Sequence, residues 1–585
     1  MPQKTLRQQI LARNIRIGDH QGSDYFTAIK ELVDGRRAAE PAEAGLWQQE
    51  IDGVYTLLRR EMRENRGEPL KAVSFGTSGW RGLLGKELFV HSVACVTAAI
   101  VELYRALDQE SALAEPLGVA SFAEACRRGC VLGFDNRFGN DILALAVANV
   151  LAANNIVVHY AGEATTGTLS AAVLQLGAAF SINLTPSHNP LEYGGVKYNA
   201  ADAGPAAPML TNRITAEACT IIENGGFSDS LPENIDLETH LGHLPDILPC
   251  DALACWQALV RANRERHGLD YDDILARFAR NEDVVVVVDC IHGASRLDIV
   301  RLLGGEDNFR LLVLRSESDA TFGGIAPEPS EANMRPVKSV LAGRYEPLKL
   351  GAIIDPDGDR IRFTDGETDI SMNQFGAMAY HFLHQVKGRR GMVAKTVATS
   401  NLANAVAQGL GEEVFEPPVG FKEFKPVIDR ALVCFEESDG ISVIGHTPEK
   451  DAYIGLLLAL DMTLSQGCPL GAYLERVENH FGYYYPHRDG VRVSRQGAEL
   501  RAALALLDVY GVGATVQVGE KSRRITEVIA IDGRKMILDD GSWLMIRPSG
   551  TEPKIRFYVE ARTEADKQLL VETAQRMLSE IGLLA

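Results

Sequence analysis

A chain of 585 residues has room for about three to five domains with real cores, at roughly 100–200 residues per domain. Its 46% hydrophobic and 23% charged residues are those of an ordinary globular protein. The net charge of −19 opposes nucleic acid and anionic membranes, which attract basic surface, so an anionic ligand needs a local basic pocket. The nine cysteines follow no framework spacing, and neither Cys126/Cys130 nor Cys250/Cys255 has a second pair at zinc-site distance. They read as small buried hydrophobes in a reducing compartment. No apolar run approaches the ~20 residues of a membrane span and no signal-type h-region opens the chain, so a cytoplasmic protein is expected.

Residues 1–66 read as an N-terminal helical extension. Leu46, Ile51, Val54, Leu57 and Leu58 recur at helical spacing up to Arg63, as expected of a segment packed on the main body or at an oligomer contact. From Phe75 the texture becomes strand, glycine turn, helix. Three glycines around Thr77, Ser78 and Arg81 let backbone N–H groups approach an anion. An apolar strand at Val131–Phe134 gives way to Asp135-Asn136-Arg137 and then to a helix through Asn154.

The apolar stretch Val173–Leu184 ends in a predicted buried strand and leads into Thr185-Pro186-Ser187-His188-Asn189-Pro190. Two prolines fix φ near −65° and make a stiff, exposed turn at the strand's exit. Its serine suits either a phosphate carrier or a surface turn bonded to its own backbone. Lys197 returns within ten residues, as a solvated lysine or as a proton donor or acceptor if desolvation lowers its pKa.

Val284–Asp289 (VVVVVD) has the continuous β-branched character of a strand buried on both faces. Near Leu348 a third α/β unit is expected to begin. Its strand Leu350–Ile354 runs into Asp355-Pro356-Asp357-Gly358-Asp359-Arg360, at the end where ligands gather in open α/β sheets. Three carboxylates at alternate positions would repel one another unless they converge on a hard divalent cation, and oxygen-only ligands favour Mg²⁺. Further on, Lys422 follows a glycine turn, Phe435-Glu436-Glu437-Ser438-Asp439-Gly440 can present carboxylates and a hydroxyl to a sugar, and Lys450 opens an apolar helix at an anion-friendly N-terminus. Near the C-terminus, Arg547-Pro548-Ser549-Gly550-Thr551 combines a guanidinium fork, two hydroxyls and backbone N–H groups into a compact phosphate cradle.

In order and spacing, TPSHNP (185–190), DPDGDR (355–360), FEESDG (435–440) and RPSGTEPK (547–554) resemble the α-D-phosphohexomutase superfamily, which interconverts sugar 1-phosphates and 6-phosphates. The likeness covers nearly everything after residue 66. It implies an α/β, four-domain protein: three related α/β domains with mixed sheets and a smaller C-terminal α+β domain that closes over the substrate. The expected boundaries are 67–235, 236–346, 347–465 and 466–585, after the extension.

By that resemblance Ser187 is the phosphoserine, and Asp355, Asp357 and Asp359 hold Mg²⁺ together with a phosphoserine oxygen. Arg81, His188, Lys197 and Arg360 surround the reacting phosphoryl group, with Lys197, then His188, as general acid/base. Glu436 and Ser438 bind sugar hydroxyls, Lys422 and Lys450 line the sugar side, and Arg547, Ser549, Gly550 and Thr551 grip the other phosphate. The expected partners are sugar phosphates, with glucose 1,6-bisphosphate as intermediate, on a monomer or dimer. Phe435 and Asp439 depart from the glycine, or glycine and alanine, of many relatives, and Ala452 from a frequent glycine. The paired glutamates and TPSHNP put glucose 1-phosphate first and mannose 1-phosphate second, ahead of glucosamine. A phosphatase using the aspartate loop alone and a silent sugar-phosphate sensor are the rival readings.

Overall fold

The computed structural model describes residues 5–76, 79–226, 237–305, 308–548 and 554–584. Among them lie four sheets, of seven, five, four and six strands. In the first, Phe180–Leu184, Cys130–Phe134, Val158–Glu163 and Ile247–Pro249 run parallel, and Tyr193–Ala200 and Gly79–Leu83 continue the sheet antiparallel. The second is built on Val284–Asp289, every residue of which is buried. That strand lies between two parallel neighbours, Leu311–Leu314 and Leu348–Ile354, which cover its edges while helices cover its faces.

This pairing corrects the expected division at residue 346/347. Leu348–Ile354 is central to the second sheet, and an antiparallel return through Ile361–Thr364 keeps the chain there, so the aspartate loop belongs to the second domain. The first sheet likewise extends past residue 235 to Ile247–Pro249. The helix Leu470–Phe481 packs its buried Leu470, Tyr473, Leu474 and Val477 into the core shared by the second and third domains, so the 465/466 boundary also falls too early. The C-terminal sheet, all antiparallel, starts at Tyr485 and carries the helix Glu564–Glu580 on one face.

The three α/β domains share one device. In each, the last parallel strand turns into an antiparallel neighbour: Phe180–Leu184 into Tyr193–Ala200, Leu348–Ile354 into Ile361–Thr364, and Val433–Glu436 into Gly440–Val443. The serine, aspartate and glutamate motifs occupy these three turns.

The extension forms helices Leu6–Asn14, Tyr25–Ala38 and Pro41–Glu64, whose buried Ile29, Leu32, Ile51, Val54 and Leu58 are continuous with the first domain's core. Leu46, expected on the inner face, is 46% exposed. The segment Val90–Asp108 corrects the expectation about apolar runs: it is long and apolar enough to cross a membrane, yet 78% of its apolar window is buried inside the protein. It is a core helix, packed between Asn140–Ala153 and Pro208–Glu223.

The C-terminal domain is seated on the third through a largely buried ionic cluster. Lys535 Nζ donates to Val397 O at 2.8 Å and Glu416 Oε1 at 3.0 Å, and lies 4.2 Å from the Trp543 ring centroid. Fully buried Lys395 approaches Glu416 Oε2 at 3.2 Å, and Asn401 N donates to Glu560 Oε1 at 3.0 Å. Burial and the neighbouring Lys535 push Lys395 down to about 8. Burial alone would raise Glu416, but the two lysines draw it from its ordinary 4.5 to about 2. A depressed carboxylate contributes stability above its unfolded pKa and loses it as pH falls through the folded value. Glu416→Gln, which strands two buried ammonium groups, is therefore expected to cost about 3 kcal/mol near neutral pH. In thermal melts the gap to wild type should close as pH drops from 4.5 towards about 2; a pH-independent gap would contradict the assignment.

Candidate active site

Ser187 is fully buried rather than exposed, and its backbone is left-handed, with φ at 58°. Such a conformation is costly for a side chain bearing Cβ and persists only where its surroundings impose it. Here they do. Ser187 N donates to Thr185 Oγ1 at 2.8 Å, and Thr185 Oγ1 donates to Asp135 Oδ2 at 2.7 Å. Arg137 reaches four carbonyls of the same turn: Ser187 O at 2.6 Å, Pro190 O at 2.8 Å, Tyr193 O at 3.3 Å, and Asn189 O. Its guanidinium also sits 5.0 Å from the Phe322 ring centroid. Where the turn crosses the neighbouring strand, a Cβ on Gly195 would lie 2.4 Å from Thr185 O, so only glycine fits.

The hydroxyl so held faces the aspartate loop 168 residues away. Ser187 Oγ lies 2.9 Å from Asp355 Oδ2, 3.3 Å from Asp359 Oδ1 and 3.3 Å from His188 Nδ1. Asp355, Asp357 and Asp359 are buried and offer ligand atoms within 4.8 Å of one another. The loop closes on itself, with Asp359 N and Arg360 N both donating to Asp355 Oδ1 at 3.0 Å. Gly358, at φ +64°, turns it against Thr165. Asp357 Oδ1 is buried without a hydrogen-bond partner, the condition of an oxygen set aside for a cation. Residues and charge thus fit a hard divalent ion.

Cations surround this group. Lys197 Nζ bridges Asp357 Oδ2 at 2.6 Å and Asp359 Oδ2 at 2.9 Å, and Lys450 Nζ lies 3.3 Å from the same Asp359 oxygen and 3.8 Å from Glu436 Oε1. Burial and the repulsion of Asp359 and Asp357 push Asp355 well above the usual carboxylate range. Burial would raise Asp359 too, but Lys197, Lys450 and Arg360 hold it well below. Desolvation does not lower Lys197, contrary to the condition set for it as a base: Asp357 and Asp359 outweigh burial and raise it. Burial, then the charges of Arg360 and Arg81, keep His188 well below its ordinary value and hence neutral. The Arg81 side chain makes no hydrogen bond among the described residues, and Arg360 Nε is buried without one. Arg360 Nε does lie 3.5 Å from Asp359 Oδ1, and the two guanidinium groups, both of which repel a proton on His188, concentrate positive charge suited to an anion.

The third turn brings Glu436 to Lys450. Asp439 has φ at 72°, which explains why glycine suits that position, and its carboxylate accepts from Arg362 Nη2 at 3.1 Å. From the C-terminal domain, Arg488 approaches Asp439 to 3.9 Å, and Arg547 Nε donates to Asp532 Oδ1 at 3.1 Å. The other oxygen of Asp532 accepts from Val419 N at 2.9 Å, tying the arginine's support to the loop before Lys422. Lys422 and Ser438 are half-buried and have no hydrogen bond among the described residues. Ser549, Gly550 and Thr551 lie outside the described residues.

Models of the four phosphoglucomutase/phosphomannomutase domains match this chain in order: alpha/beta/alpha domains I, II and III over residues 72–224, 271–368 and 371–481, and the C-terminal domain over 491–575. The chain belongs to the phosphoglucomutase/phosphomannomutase family. A protein named "Probable phosphoglucosamine mutase" from Methanopyrus kandleri is 27% identical over 517 residues, 87% of this chain and 99% of that one. A phosphoglucomutase of Komagataeibacter xylinus is 25% identical over 542 residues, covering 86% and 89%. Among solved structures, the phosphoglucomutase pp63/parafusin of Paramecium in its open form shares the fold, with a TM-score of 0.66 over 88% of this chain and 96% of that one at 19% identity.

Sequence reasoning passed over three supporting residues of this family member: Asp135, Arg137 and Thr166. The polar residues after Val131–Phe134 were the only available signal for the first two. Thr166 opens the helix Thr166–Leu176; its N donates to Asp357 O at 2.7 Å and its Oγ1 to Asp357 Oδ2 at 2.8 Å. Outer-shell partners of this kind typically set about tenfold or more of metal affinity. Thr166→Val is accordingly expected to weaken Mg²⁺ binding about tenfold in calorimetric titration, and unchanged affinity would remove Asp357 from the cation site.

Proposed function

We propose that this protein is a phosphohexomutase that interconverts hexose 1-phosphate and hexose 6-phosphate through phosphorylated Ser187 and a hexose 1,6-bisphosphate, with Mg²⁺ as cofactor. The observation that carries the reading is the 2.9 Å approach of Ser187 Oγ to Asp355, in a buried site where three carboxylates are balanced by Lys197 and Lys450. Asp355, Asp357, Asp359 and the serine oxygen would hold the ion. When bound it neutralises negative charge on the phosphoryl group in transfer.

In the first transfer the bond between phosphorus and Ser187 Oγ breaks as one forms to the free hydroxyl of the hexose monophosphate. The sugar hydroxyl loses its proton and the serine oxygen regains one. The proton lost by the sugar hydroxyl ends on the serine oxygen; neutral His188, with Nδ1 3.3 Å from Oγ, is placed to accept a hydrogen bond from the serine hydroxyl and to take its proton in the return transfer, while Lys197, bound to two carboxylates, serves as a fixed positive charge. Arg81 and Arg360 receive the phosphoryl oxygens. Glu436 and Ser438 orient the sugar, with Lys422 and Lys450 beside it, and Arg547 with Ser549, Gly550 and Thr551 holds the distal phosphate. After the bisphosphate turns end for end, the second transfer restores phosphorylated Ser187 and releases the isomer. Burial of the site keeps water from the phosphoserine.

Glucose 1-phosphate is the first substrate proposed. The 27% identity to an archaeal protein named as a phosphoglucosamine mutase supports glucosamine 1-phosphate as the second reading. A panel of glucose, mannose and glucosamine 1-phosphates, assayed with Mg²⁺ and the matching bisphosphate, is expected to rank glucose highest by kcat/KM. Ser187→Ala should lose at least about a thousandfold of turnover, as expected on removing a covalent carrier. Inactivity on all three sugars, or full activity of the alanine variant, would overturn the assignment.

A further inference from the structure

Residues 5–66 precede the first segment that matches the family, and neither the fold of the four domains nor the chemistry above assigns them a role. Their contacts do. The long helix Pro41–Glu64 is fixed to the first domain: Tyr55 stacks on Phe138 with ring centroids 4.3 Å apart, and Arg59 Nη1 donates to Asp141 Oδ1 at 2.9 Å. The helix Tyr25–Ala38, packed against it, reaches two further places at once. Lys30 Nζ donates to Glu192 Oε1 at 2.7 Å, on the turn that carries Ser187. Arg36 Nη2 lies 3.3 Å from Thr321 Oγ1 and 3.5 Å from Asp319 Oδ2, and Arg37 Nη1 donates to Gly324 O at 3.4 Å, all three partners in the second domain.

The second-domain segment so gripped contains Phe322, whose ring lies under the Arg137 guanidinium, and Arg137 in turn holds the carbonyls of Ser187, Asn189, Pro190 and Tyr193. One helix therefore touches both ends of a chain of contacts running from the half-buried Asp319 through the buried Phe322 and Arg137 to the serine turn. The serine belongs to the first domain and the aspartates to the second, so their separation depends on how those domains sit together.

We propose that the N-terminal extension is a brace that holds the first and second domains in register and thereby positions Ser187 Oγ against the aspartate loop, with Lys30 and Arg36 as positioning residues. The proposal rests on the reading of Ser187 as the phosphoryl carrier. Neither lysine nor arginine touches substrate or the reacting atoms. Their loss alters the placement of the nucleophile, and a misplacement of about 1 Å at a reacting centre costs up to about a hundredfold in rate.

The test uses the full-length protein. In Lys30→Ala/Arg36→Ala, backbone hydrogen exchange of residues 185–193 and 319–324 should rise about tenfold or more, with the C-terminal domain unchanged, and kcat should fall about tenfold or more at constant KM. Lys30→Ala/Arg36→Lys should recover part of both. Lys30→Ala alone, a surface change, supplies the same comparison for the serine turn if the double variant does not fold. Exchange that changes only within residues 5–66, or unchanged exchange with unchanged kcat, would overturn the brace. A wild-type protein that turns over no hexose phosphate would refute the mutase reading instead, and the exchange comparison would still decide the brace.

Discussion

The structure depends on charge balance around one buried turn. Asp355, Asp357 and Asp359 are buried together, and carboxylates so placed repel each other strongly in a medium of low dielectric. Lys197, from the strand Tyr193–Ala200, and Lys450, just before the helix Ala452–Gln466, supply the opposing charge, and Ser187 Oγ supplies a hydrogen bond. Lys450 is itself anchored by the next residue. Asp451 caps the helix Ala452–Gln466, its Oδ1 accepting from Tyr453 N at 2.7 Å, while Oδ2 accepts from Trp256 Nε1 and lies 2.5 Å from His446 Nε2. A site of this kind can form only when three domains meet, so the chemistry and the assembly of the molecule are one problem.

The fold solves it by repetition. Each α/β domain ends its parallel run with a turn into an antiparallel strand, and each such turn carries one part of the site: the serine, the aspartates, the glutamate. The strands behind these turns are buried, so the loops start from fixed points. The C-terminal domain is the exception. It is antiparallel throughout, and it meets the third domain through Trp543, Met545, Tyr558 and the lysine pair rather than through a shared sheet.

Much of this was legible in the sequence because local patterns carried it. VVVVVD announced a central parallel strand, and the three spaced aspartates announced a convergent cluster of carboxylates. What the residues alone could not show was non-local. The strand Leu348–Ile354 has no local mark that distinguishes the middle of the second sheet from the start of a third, since its partner Val284–Asp289 lies 64 residues earlier in the chain. Ser187 appeared exposed because prolines flank it; its burial comes from Arg137 and from the opposing aspartate loop. Lys197 read either as a solvated lysine or as one whose pKa desolvation lowers; it is buried, and two carboxylates reverse the sign of the shift. Asp439 looked like a change in the sugar loop, yet its carboxylate is turned to Arg362 and towards Arg488.

The central claim is that the oxygen of residue 187 carries phosphate between two positions of one sugar. The most direct measurement is phosphopeptide mapping of the purified protein after brief incubation with hexose 1,6-bisphosphate, followed by a chase with hexose monophosphate. The account predicts a phosphoryl group on Ser187 that disappears in the chase as bisphosphate forms. A label on another residue, or on Ser187 but untouched by the sugar, would contradict it.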